Sequence, residues 1–95
     1  MDDFEALISS LGEHSVDYIG KDNLRQLAVF GDPGNLSARI EICLEENSWA
    51  EQTRAIDRML ELRRMFLDEI SIDYAFLNED SCSSTVAERS DYSLV

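Results

Sequence analysis

The chain has 95 residues, 44% of them hydrophobic, and carries 20 Asp and Glu against 8 Lys and Arg for a formal net charge of −12. That length admits one domain with a core near the lower limit of self-sufficiency, and the hydrophobic share excludes a wholly disordered polymer. A chain so acidic repels polyanions, which argues against direct binding of nucleic acid or of an anionic membrane surface.

The acids begin at once, with Asp2, Asp3 and Glu5 around Phe4. Phe4, Leu7, Ile8 and Leu11 fall at i, i+3, i+4 and i+7, which predicts a short helix from Asp3 to Leu11 with Gly12 as its stop. His14, between Glu13 and Ser15, is expected to be a solvated connector, because three consecutive loop residues cannot converge on one reacting atom. Val16-Asp17-Tyr18-Ile19 predicts a short strand, followed by the turn Gly20-Lys21-Asp22-Asn23.

Leu24 to Glu45 forms two extended runs around Asp32-Pro33-Gly34-Asn35, where Pro33 presets φ and Gly34 and Asn35 tolerate positive φ. A β-hairpin is the expected result. Its second arm alternates Ala38, Ile40, Ile42 and Leu44 with Ser37, Arg39, Glu41, Cys43 and Glu45, predicting one core face and one wet face. Ser48-Trp49-Ala50-Glu51 matches a capping box at the start of a long helix over 48–68. Trp49 is most simply a core residue of that helix, and otherwise an interface anchor. Ile70, Ile72, Tyr74 and Phe76 alternate with polar and small residues, predicting a strand over 70–77, parallel to the second hairpin arm through a right-handed crossover.

From residue 79 the periodicity ends, and 79–95 is expected to be a flexible tail behind a domain at 1–78. Tyr92-Ser93-Leu94-Val95 has the hydroxyl and valine spacing of peptides that extend a PDZ sheet, a match short enough to arise by chance. Cys43 and Cys82 belong to no CxxC or Cys/His spacing and are expected to be free thiols. With no apolar run near the roughly 18–20 residues of a bilayer span and an acidic start, a cytoplasmic protein without membrane contact is expected.

Catalytic, metal and cofactor sites are not predicted. Glu45-Glu46-Asn47 and Asp2-Asp3 lack the spacing of a calcium loop, and the glycines at 12, 20, 31 and 34 make no nucleotide-binding loop. Arg54 and Arg58 have acids three residues away, which predicts a salt-bridged helix face, whereas Arg63 and Arg64 are less neutralised.

The expected fold is therefore α+β, with an N-terminal helix, a sheet built on the hairpin, one long helix across it and a last strand. The expected function is non-catalytic binding. In composition the chain resembles inhibitors that neutralise basic enzymes, such as nuclease-directed immunity proteins and anti-defence proteins. That likeness implies a toxin, nuclease or defence protein with a basic surface as partner, carboxylates standing in for phosphates. The candidate contact residues are Asp2, Asp3, Glu5, Asp17, Tyr18, Asp22, Glu41, Glu45, Glu46, Trp49 and Asp73. An adaptor subunit or homodimer joined through an apolar surface is the alternative.

Overall fold

A computed structural model describes residues 3–46, 48–77 and 90–94. The first helix, α1, spans Asp3–Ile19 and runs straight through Gly12. Its buried positions, Ile8, Leu11, Ser15, Val16 and Ile19, continue the stripe that Phe4 begins, so the strand expected at 16–19 is the last turn of a helix. The inward Ser15 is satisfied by donating its hydroxyl to the Leu11 carbonyl at 2.8 Å. Gly12 is there for packing and not for termination, because a Cβ at that position would collide with the ring of Tyr92.

A single 3₁₀ turn, Lys21–Asn23, leads into the expected hairpin, β1 (Leu24–Asp32) against β2 (Ser37–Leu44), antiparallel with Val29 opposite Ile40. The Asp32 carboxylate holds the turn, accepting from the Gly34 N–H at 3.1 Å and the Asn35 side-chain amide at 2.6 Å. The residue in the left-handed region is Leu36, at φ 48°, and not Gly34 or Asn35. A non-glycine residue there costs about 1–2 kcal/mol. Its carbonyl is used, accepting from the Ser71 N–H at 2.9 Å.

The second helix, α2, spans Trp49–Met65, with the Ser48 hydroxyl accepting from the Glu51 N–H at 3.3 Å. Only half of the capping box forms, since the Glu51 carboxylate turns to the Asn23 side-chain amide at 3.1 Å. β3 (Ser71–Phe76) then lies parallel to β2, as the crossover rule predicts, with Ile40 opposite Tyr74. The chain returns as β4 (Tyr92–Leu94), antiparallel to β1, in the sheet order β3-β2-β1-β4. Tyr92–Leu94 therefore belongs to the sheet, which corrects the tail expected over 79–95 at those three residues; residues 79–89, and Val95 of the PDZ-type motif, lie outside the described residues. Three residues without strong periodicity give too little signal for a strand whose partner lies some 65 positions earlier.

Both helices pack on one face of the sheet. The core there joins Ile8 and Leu11 of α1 and Met59, Leu62 and Phe66 of the α2 end to Leu27, Val29, Ile40, Ile42 and Ile72. Burial of each such side chain contributes about 1.5–3 kcal/mol. The opposite face, expected to be wet, carries Arg39 and Asp73 in solvent, but Gln26, Ala28 and Cys43 on it are buried. Cys43 is disulfide-bonded and not a free thiol. Sequence tests look for CxxC and Cys/His spacings, and a structural disulfide needs neither. Cys82 lies outside the described residues. Among the described residues no helix is long and apolar enough to cross a membrane.

Substituting Gly12→Ala is expected to lower stability by about 1–3 kcal/mol through overpacking against Tyr92. In a Tyr92→Ala background the same change should instead stabilise, by up to the helix propensity difference of about 1 kcal/mol. Thermal melts of the four proteins check both signs.

Candidate functional site

Charge is divided unevenly between the helices. α1 holds Asp3, Glu5, Glu13 and Asp17 and no Lys or Arg, a balance of −4. α2 holds Glu51, Asp57 and Glu61 against Arg54, Arg58, Arg63 and Arg64, a balance of 3 acids against 4 bases, or +1. At 100° per residue, Glu5, Ser9, Glu13 and Asp17 stand one turn apart on the same side of α1, and all are exposed. At a rise of 1.5 Å per residue this row is about 18 Å long. None of its carboxylates forms an ion pair among the described residues; the pairs there are Arg39–Glu41, Arg58–Glu61 and Arg63–Asp73.

Tyr92 of the edge strand β4 interrupts the flank of α1, seated over Gly12. Burial pushes its phenol above the usual tyrosine pKa, and the carboxylates of Glu13 and then Asp17 push it further the same way. On one side of Tyr92 is a cleft of about 340 Å³ lined by Phe4, Glu5, Ile8, Ser9, Gly31, Pro33 and Asp91. On the other is a shallower one of about 290 Å³ formed by Glu13, Val16, Asp17, Lys21 and Tyr92. The α1–β4 side thus presents Glu5 and Asp91 in one cleft and Glu13 and Asp17 in another, which the ring of Tyr92 also lines.

The structure gathers only some of the residues singled out from sequence. Asp3, Glu5 and Asp17 share α1, and Asp22 is exposed in the turn after it. Asp2 lies outside the described residues. Glu45 and Glu46 are exposed at the far end of the hairpin, where Glu46 is tied through its backbone to Asn23. Glu41 is half-buried and paired with Arg39 at 3.5 Å, and Asp73 pairs with Arg63 at 3.6 Å, so neither is a surplus charge. Tyr18 donates its hydroxyl to the Met65 sulfur at 2.7 Å and serves to join the two helices. Trp49 is 81% exposed, which overturns its reading as core. At the first position of α2 it points away from the stripe of Ala55, Met59 and Leu62 that faces the sheet.

Sequence reading missed Glu13, Asp91 and Tyr92. Glu13 becomes visible once the helix is carried past Gly12, being four residues before Asp17. Asp91 and Tyr92 had no signal, because only the sheet pairing brings them to α1. His14 is also relocated: it is half-buried within α1, its Nδ1 2.7 Å from the Ser10 carbonyl and its ring edge-on to Phe66 at 5.8 Å. The same Nδ1 lies 3.5 Å from the Ser10 hydroxyl. Among the described residues no group of three or more His, Cys, Asp or Glu could hold a metal ion.

The outer edge of β3 is guarded. Ser71 and Leu77 direct their N–H groups to β2, so the alternate residues Ile72, Tyr74 and Phe76 present theirs outward. Arg63 occupies that edge, donating to the Ile72 carbonyl from Nε at 3.0 Å and Nη2 at 2.6 Å and lying 5.8 Å over the Tyr74 ring. An arginine placed so obstructs strand addition.

No known protein-family model matches this chain, and no curated protein is significantly similar to it.

Two measurements follow from this geometry. Because folding favours the neutral phenol of Tyr92, its contribution to stability is complete below the ordinary tyrosine pKa of about 10 and is lost as pH rises through the higher folded-state value. Denaturant unfolding between about pH 9 and 11 should therefore fall less steeply for Tyr92→Phe than for the parent. Arg63→Ala should cost about 1 kcal/mol and produce concentration-dependent self-association by sedimentation, and a variant that stays monomeric at millimolar concentration refutes the guarding role.

Proposed function

We propose that this chain is a non-catalytic binding protein whose α1–β4 side occupies the cationic surface of another protein, in the place of nucleic-acid phosphates. The supporting observation is the row Glu5, Glu13 and Asp17, none of which forms an ion pair among the described residues, whereas Glu61 on α2 pairs with Arg58, and Glu41 and Asp73 on the sheet pair with Arg39 and Arg63. Along α1 the three acids of the row are about 12 Å and about 6 Å apart, and Asp91 adds a fourth carboxylate in the cleft it shares with Glu5. Such a row raises the association rate with a basic surface, while the apolar surface between the acids governs release. The partner class this suits is the one expected from composition: a basic toxin, nuclease or defence protein. A cytoplasmic setting, the other expectation, fits poorly with the Cys43 disulfide, since such bonds persist in oxidising compartments.

A second reading, an adaptor or homodimer joined through an apolar surface, draws on a different observation. Trp49, Ile56 and Leu60 stand at i, i+7 and i+11 on one side of α2, with Trp49 81% and Leu60 40% exposed. It is the weaker of the two, because the row is short and Thr53 interrupts it.

Competition separates the readings. The chain is titrated into complexes of labelled duplex DNA with basic DNA-binding proteins of its host, at about 0.05 M and 0.5 M salt. Displacement at low salt, lost at high salt and lost in the triple variant Glu5→Gln, Glu13→Gln, Asp17→Asn with its melting temperature kept, is the expected result. Equal displacement by the triple variant, or none at either salt, overturns the proposal. Salt-independent self-association abolished by Trp49→Ala would instead establish the second reading.

A further inference from the structure

The cleft beside the first turns of α1 is shaped for more than general attraction. Its floor is apolar, formed by Phe4, Ile8 and Pro33 around Gly31. Gly31 keeps that floor low: a Cβ there would stand 2.7 Å from Phe4 Cε2 and 2.9 Å from Ile8 Cδ1. Two carboxylates stand at the rim. Asp91 is fixed in place, its N–H donating to the Val29 carbonyl at 2.8 Å and its Oδ2 accepting from the Gly31 N–H at 2.6 Å. Its other oxygen and the whole Glu5 carboxylate have no partner among the described residues.

We propose that this cleft seats one long cationic side chain, arginine or lysine, of the protein partner, its stem on Phe4, Ile8 and Pro33 and its charge between Glu5 and Asp91. The inference rests on the reading of the α1–β4 side as a cation-binding surface and names the point where specificity enters. Long basic side chains combine an apolar stem with a charged head, which matches a floor and rim of this composition, and a cation over an aromatic face gains a further attraction. A volume of about 340 Å³ is at the lower end of the roughly 300–1,000 Å³ of small-molecule sites, enough for a side chain and too small for a large cofactor. A calcium ion would require six to eight oxygens where the rim provides two carboxylates.

The test uses the full chain, labelled with ¹⁵N, and a hexa-arginine peptide at low salt, with hexa-citrulline as a neutral peptide of the same shape. The expected result is a shift of the Gly31 and Ser9 amide signals with hexa-arginine and none with hexa-citrulline. Asp91→Asn keeps the Gly31 hydrogen bond through its amide oxygen but loses the charge, and should weaken binding about five- to ten-fold. Glu45→Gln, at the far end of the hairpin, should change it less than about two-fold. Hexa-arginine binding with shifts at Glu13 and Asp17 but not at Gly31, and unaltered in Asp91→Asn, overturns the cleft while leaving the cation-binding surface in place. Absence of any hexa-arginine binding overturns both.

Discussion

Two close approaches between α1 and the sheet determine where everything else on this side of the molecule sits. Gly12 admits the ring of Tyr92 and Gly31 admits Phe4 and Ile8, in each case where a single methyl group would meet occupied space. With the helix drawn down at both points, the exposed row of α1 comes level with the edge strand β4. Acids from residues 5, 13, 17 and 91 thereby share a surface, although they come from opposite ends of the sequence. Core packing and the candidate binding surface are consequences of the same contact, so a change that lifts α1 would disperse the charges as well as loosen the core.

The two edges of the sheet are treated differently. Along β3 an arginine occupies the outward Ile72 carbonyl and lies over Tyr74, which obstructs strand addition at that part of the longer edge. At β4 the edge is three residues long and is bordered by carboxylates from α1 and Asp91.

Most of the architecture was legible in the sequence because it follows from short-range periodicity. The alternation of Ala38, Ile40, Ile42 and Leu44, the Asp32-Pro33 turn and the serine before Trp49 each encode a local geometry that the structure adopts. Failures occurred where a residue's local meaning was overridden by a distant neighbour. Gly12 looks like a stop until Tyr92 is placed over it, and Val16 to Ile19 look like a strand until the sheet beneath them makes a longer helix worth forming. Cys43 looked solvent-facing by alternation, yet it is buried and bonded. For the site, the acids of α1 were legible one by one, but their alignment was not, since it depends on the helix continuing past Gly12. Asp91 and Tyr92 come from a segment whose composition resembles a tail, and only β-pairing with Leu27 to Val29 gives them a position.

The two helices differ in how well their charges suit the helical fold. α2 follows the rules for helix charge, with Glu51 in its first turn and Arg63 and Arg64 in its last. α1 has acids at its start but no base in its last turn, where Asp17 faces the negative end of the dipole, and Glu13 repels Asp17 across one turn. Lys21 shares their cleft without forming an ion pair with either. Each such conflict costs about 0.2–1 kcal/mol against a total stability of about 5–15 kcal/mol for a domain. A sequence that places its charges favourably in α2 and unfavourably in α1 is consistent with a constraint on α1 that folding does not supply. Attraction of a cationic surface is a constraint of that kind, because it improves with the same crowding of carboxylates that the helix resists.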